Sequence, residues 1–235
     1  MTQAPSGQRV NTDSCVFGDV IGPDYLKGRQ PKKIIDIGTG TGVLALMLAH
    51  RFHASQILGV EPEESIATVA AKNFAESPWA DRLSVIGTRA QELSPGGLGL
   101  FDFVICNPPY FQNSMLSNDR QRAVARHNSD LSPDELYGAM ARMMTEDGEA
   151  WLSFPQDSTA LWMDSGLRAG LYPTHEIIVK DHPEARPHMS IVGWSRRQRI
   201  SIVASSIHYR LEGKGEMSPW MSEFRRRWYP ARFNK

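Results

Sequence analysis

A chain of 235 residues that is 41% hydrophobic carries enough apolar material for the core of one sizeable α/β domain. Its longest purely apolar stretch near the front, Val43 to Ala49, falls far short of the ~20 residues a membrane span needs, and the opening MTQAPSGQRV lacks an apolar signal core, so the expectation is a soluble cytoplasmic protein with no membrane partner. The 26 basic and 26 acidic side chains cancel unevenly, because residues 186–235 hold 11 Lys and Arg against 3 Asp and Glu, while two cysteines, Cys15 and Cys106, make neither a disulfide framework nor a metal cluster.

In chain order, β-rich apolar runs alternate with helix-like segments over the first two thirds, which predicts a mostly parallel sheet with helices on both faces. The predicted strands are Lys33–Ile37, Gln56–Glu61, Leu83–Gly87, Phe101–Cys106 and Glu149–Phe154. Between them TGVLALMLAHRF and EESIATVAAKNFAE have apolar residues at helical spacing. SPDELYGAMARMMTEDG opens as a helix should, with Ser132 as N-cap, Pro133 at the first helical position and Glu135 at the third, and Gly148 is expected to close it. Asn113–Asp130 is polar, charged and poor in strand formers, so it reads as a long loop or partly helical lid. A helix near Ser158–Ala169 and strands near Ile177–Lys180, Met189–Trp194 and Ile200–Ser205 follow. No internal repeat or low-complexity tract interrupts them. The expected organisation is an N-terminal bracing segment (1–30), a main domain (31–206) and a basic, aromatic C-terminal segment (207–235) of the same domain.

The first predicted strand runs into DIGTGTG, Asp36 to Gly42, which opens a helix. Glycines at 38, 40 and 42 allow a tight turn and close approach of a ligand, and the helix amides beyond them favour negative charge. A phosphate-binding P-loop needs Lys followed by Ser or Thr where Val43 and Leu44 stand, and a dinucleotide fingerprint spaces its glycines GxGxxG rather than GxGxG. The remaining match is the loop of S-adenosylmethionine-dependent methyltransferases, with an acid before the glycines and a second acid ending the next strand. Glu61 supplies the second, and a carboxylate there can accept both hydroxyls of a ribose.

The fourth predicted strand ends in NPPY, residues 107–110. Proline cannot donate to a ladder and restricts the residue before it, so the strand stops at Asn107 in a shaped corner. The Asn107 side-chain oxygen and the Pro108 carbonyl can each accept an N–H from an exocyclic amine, and Tyr110 can stack on a base. Methyl transfer to such an amine needs alignment and stabilisation of charge developing on nitrogen, with no metal. His127, His182 and His188 show no metal-ligand spacing.

DIGTGTG, Glu61 and NPPY together resemble the amino-group methyltransferases of adenine, cytosine, guanine and glutamine. RVNTDSCVFG (9–18), SPWADRLSV (77–85), RAVARHNSDLS (122–132) and EARPH (184–188) resemble the bacterial tRNA1(Val) (adenine(37)-N6)-methyltransferases. The resemblance implies a Rossmann-like class I fold, a seven-stranded mostly parallel sheet with helices on both faces, using S-adenosyl-L-methionine. It implies that Asp36, Gly38, Thr39, Gly40, Gly42, Glu61, Arg89, Ala90, Gln91 and Asn107 hold the cofactor, with Thr12 and Asp13 bracing it, and that Asn107, Pro108, Pro109 and Tyr110 hold the target adenine. Relatives carry an Asp for the cofactor's adenine amine where Ala90 stands, with Gln91 or Glu92 beside it as substitutes. They also carry a strand-forming segment ahead of RVNTDS, where this chain has a polar stretch.

The basic C-terminal fifth interleaves arginine with aromatics in WSRRQR and EFRRRWYPARF, a pairing suited to phosphate contact and base stacking. Arg122, Arg126, Arg186, Arg196, Arg197, Arg225, Arg226 and Arg227 are the candidate RNA contacts, and a tRNA anticodon loop bound by a monomer is the expected partnership. Two rival readings remain at this stage: an NPPY enzyme acting on ribosomal RNA or on a protein glutamine, and an RNA-binding protein that keeps a decayed cofactor fold.

Overall fold

In strand β1 (Lys33–Ile37) every residue after Lys33 is buried, which an alternating one-sided strand would not show and a strand covered on both faces must. The computed structural model describes residues 12–21, 28–108, 131–213 and 215–229, and in it β1 is central to an eight-stranded sheet. The other strands are β2 (Gln56–Val60), β3 (Leu83–Ile86), β4 (Phe101–Cys106), β5 (Met144–Pro155), β6 (Tyr172–Lys180), β7 (Met189–Ser195) and β8 (Val203–His208), in the order β3-β2-β1-β4-β5-β7-β6-β8. Strands β1 to β5 are mutually parallel. β7 runs antiparallel to both β5 and β6, and β8 is parallel to β6.

Neighbouring residues of the central strands feed opposite cores. Ile34, Phe103 and Trp151 pack with α1 (Thr12–Val20), α2 (Val43–Arg51) and α6 (Pro219–Trp228), through Val16, Phe17, Leu44 and Phe224. Ile35, Val104 and Leu152 pack on the other face with Leu136, Tyr137 and Met140 of α4 (Pro133–Met143). Helix α3 (Glu64–Ala75) contributes Ala70 and Phe74 to the first core, and α5 (Thr159–Arg168) packs Trp162 and Met163 against the second.

Two expectations are corrected. Among the described residues the sheet has eight strands rather than seven, because β8 pairs with β6 and adds an edge whose Val203 is 52% exposed. The helix opened by Ser132 ends at Met143 and the chain turns straight into β5, so Gly148 lies within the strand instead of closing a helix. The reason lies in burial: Met143 and Met144 are the last apolar anchors, Glu146 and Asp147 are exposed, and the pairing with β4 shifts register from Phe101↔Met144 to Phe103↔Glu149. The predicted capping box is present, with Ser132 Oγ accepting from Glu135 N and the Glu135 carboxylate accepting from Ser132 N at 2.8 Å.

Helices α1 and α6 were not expected from periodicity, and each has a local explanation. Gly18 lies within α1 where a Cβ would meet Met47 Sδ at 2.7 Å, so the glycine is what lets α1 lie against α2. Helix α6 opens with Ser218 capping Met221 N at 3.0 Å and Pro219 at the first position, the same Ser-Pro start that marks α4. Asp19, only 6% exposed, ties these helices together. Its Oδ1 accepts from Arg51 at 3.1 Å, Arg227 at 2.7 Å and Trp228 Nε1 at 2.7 Å. Removing one partner of a buried ion pair costs about 3–5 kcal/mol because the other charge stays desolvated. Asp19→Ala should therefore lower the urea-unfolding free energy by about 3 kcal/mol, and a loss below about 1 kcal/mol would show that the clasp is not a structural anchor.

Candidate active site at the carboxyl ends of the parallel strands

The strand order reverses between β1 and β4, and open α/β sheets bind ligands in the crevice at the carboxyl ends beside such a reversal. The register Ile37↔Cys106 makes Gly38 and Asn107 the next residues of adjacent strands, so the glycine turn and the Asn-Pro corner share one edge.

The turn is held by two amides, Gly38 N and Thr39 N, which both donate to Val60 O at 2.8 and 2.9 Å. Gly42 has φ 91°, and a Cβ there would meet Phe74 Cε1 at 2.4 Å, so this glycine seats the turn against α3. Asn73 of α3 secures it further by donating to Thr41 O at 2.8 Å. Gly38 and Gly40 are different: a Cβ at either meets nothing within 4 Å, so their open side faces the crevice.

Two acids underlie the turn. Asp36 is fully buried; Thr39 Oγ1 donates to its Oδ2 at 2.7 Å, and Oδ1 has no close hydrogen-bond partner among the described residues. Burial pushes its carboxyl up to about 7, against the Thr39 hydroxyl and the Ala45 amide, with the charge of Glu61 adding to the rise. Glu61 is 7% exposed, and its oxygens accept from Gly40 N at 3.0 Å and Glu63 N at 3.1 Å. Burial raises Glu61 too, opposed by those two amides. Each carboxylate oxygen has two lone-pair directions, so bonds to the turn are compatible with ribose hydroxyls on the others. A buried acid beneath an open glycine turn, next to a diol acceptor, fits a nucleoside carrying a cationic amino-acid tail.

The third side of the crevice is the turn Ala90–Glu92 after β3. Ala90 is 5% exposed and belongs to the apolar core under α4, so it offers no polar contact. Arg142 donates to Gln91 O at 3.2 Å, and Glu92 accepts from Thr88 Oγ1 at 2.8 Å and Arg89 N at 3.4 Å. Glu92 is thus committed to bracing its own turn.

The Asn107 carboxamide is held at both ends. Its Nδ2 donates to Ser14 Oγ of α1 at 2.7 Å, and Ser153 Oγ of β5 donates to its Oδ1 at 2.6 Å. Pro108 is buried behind it. Ser14, Ser153 and Asn73 escape motif reasoning; the legible signal for Ser153 is a hydroxyl inside the apolar run AWLSF. Thr12 is exposed at the start of α1. Asp13 accepts from Tyr209 OH at 3.0 Å and lies 3.7 Å from His188 Nε2, and these contacts, His188 first, hold its carboxyl below the usual range. Its observed contacts run to the ends of β7 and β8.

The arginine candidates separate by position. Arg186 is exposed in the β6–β7 connection, at the same edge as Asn107. Arg196 and Arg197 follow Ser195, which pairs with Glu149, so they stand at the opposite edge, where Arg196 donates to Ala141 O and Arg197 pairs with Asp147 at 2.6 Å. A charged cleft of about 600 Å³ lies there, lined by Arg29, Glu149 and Arg199, remote from the glycine turn. Arg226 pairs with Glu223 at 2.6 Å, Arg227 with Asp19, and Arg225 contacts Met217 Sδ at 3.3 Å, so the C-terminal arginines serve intramolecular contacts. Pro109, Tyr110, Arg122, Arg126, His127 and the expected lid over 113–130 lie outside the described residues.

A reversed parallel sheet with a glycine turn after β1, an acid after β2 and an Asn-Pro corner after β4 defines a Rossmann-like class I methyltransferase. A family profile described as a methyltransferase domain matches residues 34–134. The tRNA1(Val) (adenine(37)-N6)-methyltransferase of Bacteroides fragilis is 35% identical over 188 residues, covering 80% of this chain and 77% of that protein. The protein of that name from Vibrio parahaemolyticus is 37% identical over 165 residues, covering 70% of this chain and 66% of its own. A predicted O-methyltransferase from Agrobacterium tumefaciens shares the fold, with a TM-score of 0.65 at 18% identity over 91% of this chain and 95% of that one. The chain belongs to the tRNA1(Val) (adenine(37)-N6)-methyltransferase family.

The buried Asp36 predicts a pH dependence. Its folded value is raised above the unfolded value near 3.8, so from about pH 4 upward the unfolded chain ionises more readily and stability falls, until the slope flattens above about pH 7. Thermal melts of the ligand-free protein should show Tm declining from pH 5 to 7.5, and Asp36→Asn should flatten that slope and be the more stable protein at pH 8. A wild-type Tm rising over this interval, or an unchanged slope in the variant, would contradict the assignment.

Proposed function

We propose that this protein transfers a methyl group from S-adenosylmethionine to the N6 amine of an adenosine in tRNA, at position 37 beside the anticodon of a valine tRNA. The observation that carries the reading is the adjacency of Gly38 and Asn107 across the β1–β4 ladder, which supports an amine-binding role for the Asn-Pro corner beside a cofactor-binding glycine turn. Asp36, Gly38, Thr39, Gly40, Gly42 and Glu61 hold the cofactor, with the turn Arg89–Gln91 on its nucleobase side and the Thr12–Asp13 end of α1 closing the crevice. The cofactor supplies an electrophilic methyl group on a sulfonium.

What the chain itself contributes is alignment. The Asn107 Oδ1 and the Pro108 carbonyl accept the two N–H groups of the target amine and orient its lone pair. As positive charge develops on nitrogen those bonds strengthen, so they favour the transition state over the ground state. Pro108 suits this role because its ring fixes the backbone on which the carbonyl sits. An adenine presented this way has left its stack, at a cost of a few kcal/mol that stacking on Tyr110 partly offsets. Arg186, with Arg122 and Arg126, contacts RNA phosphates. The reaction belongs in the cytoplasm, where its substrate is, with a monomer as the proposed working form.

The test is methyl incorporation into tRNA. Asn107→Ala should reduce turnover about 10²–10³-fold, the usual consequence of losing one group that stabilises developing charge, while S-adenosylmethionine affinity measured by calorimetry changes less than tenfold. Arg186→Glu should raise the KM for tRNA about tenfold with kcat nearly unchanged, and lessen the salt dependence of binding. Full activity of Asn107→Ala would remove the carboxamide from the mechanism.

A further inference from the structure

Resting on the reading of Asn107 as an amine acceptor, we infer that Ser14 and Ser153 are positioning residues that set the orientation of its carboxamide for catalysis. The terminal torsion of an asparagine is broad and nearly two-fold, so an Asn at a strand tip would sample several planes and both amide faces. Here each end is claimed by a hydroxyl from a different element: Ser14 in the first turn of α1 accepts from Nδ2 at 2.7 Å, and Ser153 of β5 donates to Oδ1 at 2.6 Å. Two such anchors on opposite ends fix the amide plane. Ser153 also uses one of the two lone-pair directions of Oδ1, which defines the direction from which an amine N–H approaches.

The position of Ser153 argues that this is its purpose. It is 0% exposed in β5 between Leu152 and Phe154, both also fully buried, where an apolar residue would suit the core without a hydroxyl to satisfy. The pairing Cys106↔Leu152 places it next to Asn107 on the adjacent parallel strand. Ser14 is 8% exposed and reaches Asn107 from α1, a helix held in place by its packing on α2 and by the Asp19 contacts. The register of β4 with β5 and the docking of α1 thus converge on a single side chain. Accepting from Nδ2 also draws electron density toward Oδ1 through the conjugated amide, so Ser14 strengthens the oxygen as an acceptor.

Threonine and valine differ by a hydroxyl at nearly constant volume, which separates this role from packing. Ser153→Val and Ser14→Val should each lower kcat about tenfold, the worth of one hydrogen bond, with the KM for tRNA and the S-adenosylmethionine Kd within about twofold. Ser153→Thr and Ser14→Thr should recover kcat to within about threefold. Equal kcat in the Val and Thr variants, or losses seen in KM and Tm instead, would overturn the inference. Should Ser153→Val fail to fold, Ser14→Ala carries the same comparison, because it adds no volume and favours the helix. A readout independent of turnover is the ¹⁵N order parameter of the Asn107 side-chain amide, expected near about 0.8 in the wild type and below about 0.6 in the valine variants. A rigid amide in those variants refutes the positioning role whatever the substrate proves to be. Wild-type protein that methylates no tRNA but shows the expected order parameters would instead refute the substrate reading and leave the positioning intact.

Discussion

The parallel pairing of β1 with β4 is the constraint on which the rest of the site depends. It sets Ile37 opposite Cys106, so the next residue on one strand begins the glycine turn and the next on the other is Asn107. A slip of one residue would reverse which face each side chain meets, moving Ile34 and Phe103 out of one core and Ile35 and Val104 out of the other. Because both faces of these strands are buried, the register is strongly specified. The precision needed for methyl transfer is inherited from hydrophobic packing, without a metal-ligand cluster among the described residues.

The site departs from what a core would choose for stability alone. Asp36 lies fully buried with one oxygen lacking a close partner among the described residues, and Ser153 places a hydroxyl in the buried carboxyl-terminal part of β5. Each costs free energy in the ligand-free protein, and each makes sense if a cationic ligand or an oriented carboxamide returns part of it on binding. Glu61 shows the same economy differently: it braces the amide of Gly40 and remains chemically suited to hydroxyls of a bound nucleoside. The stabilising contacts gather elsewhere, at Asp19, where α1, α2 and α6 meet around one carboxylate.

Much of this was legible in the sequence, for identifiable reasons. DIGTGTG, Glu61 and the Asn-Pro corner are local signals, since glycines and prolines state their backbone requirements directly. Strands buried on both faces read as apolar runs, and β1, β2 and β4 were located closely. What the sequence hides has physical reasons. Met143-Met144 looks like continuous helix because nothing in the periodicity marks where a helix hands over to a strand, and the seven-stranded expectation follows the family resemblance although the chain itself offers eight strand-like runs. The arginines of WSRRQR and EFRRRWYPARF stand out because charge is visible in a sequence, whereas most of their intramolecular partners are not. Glu146, Asp147 and Asp19 are distant in sequence, and the fold shows them engaging Arg196, Arg197 and Arg227, while Glu223 pairs with Arg226 within one helix. Ser14 and Ser153 were missed for the same reason, since their meaning comes from a neighbour on another element.

The most direct test of the central claim is nucleoside mass spectrometry of valine tRNA from cells with and without this protein, with the deletion strain complemented by the wild type. The account predicts that N6-methyladenosine at position 37 is present in the first, absent from the second and restored by complementation. An unchanged modification at that position in the deletion strain would contradict it.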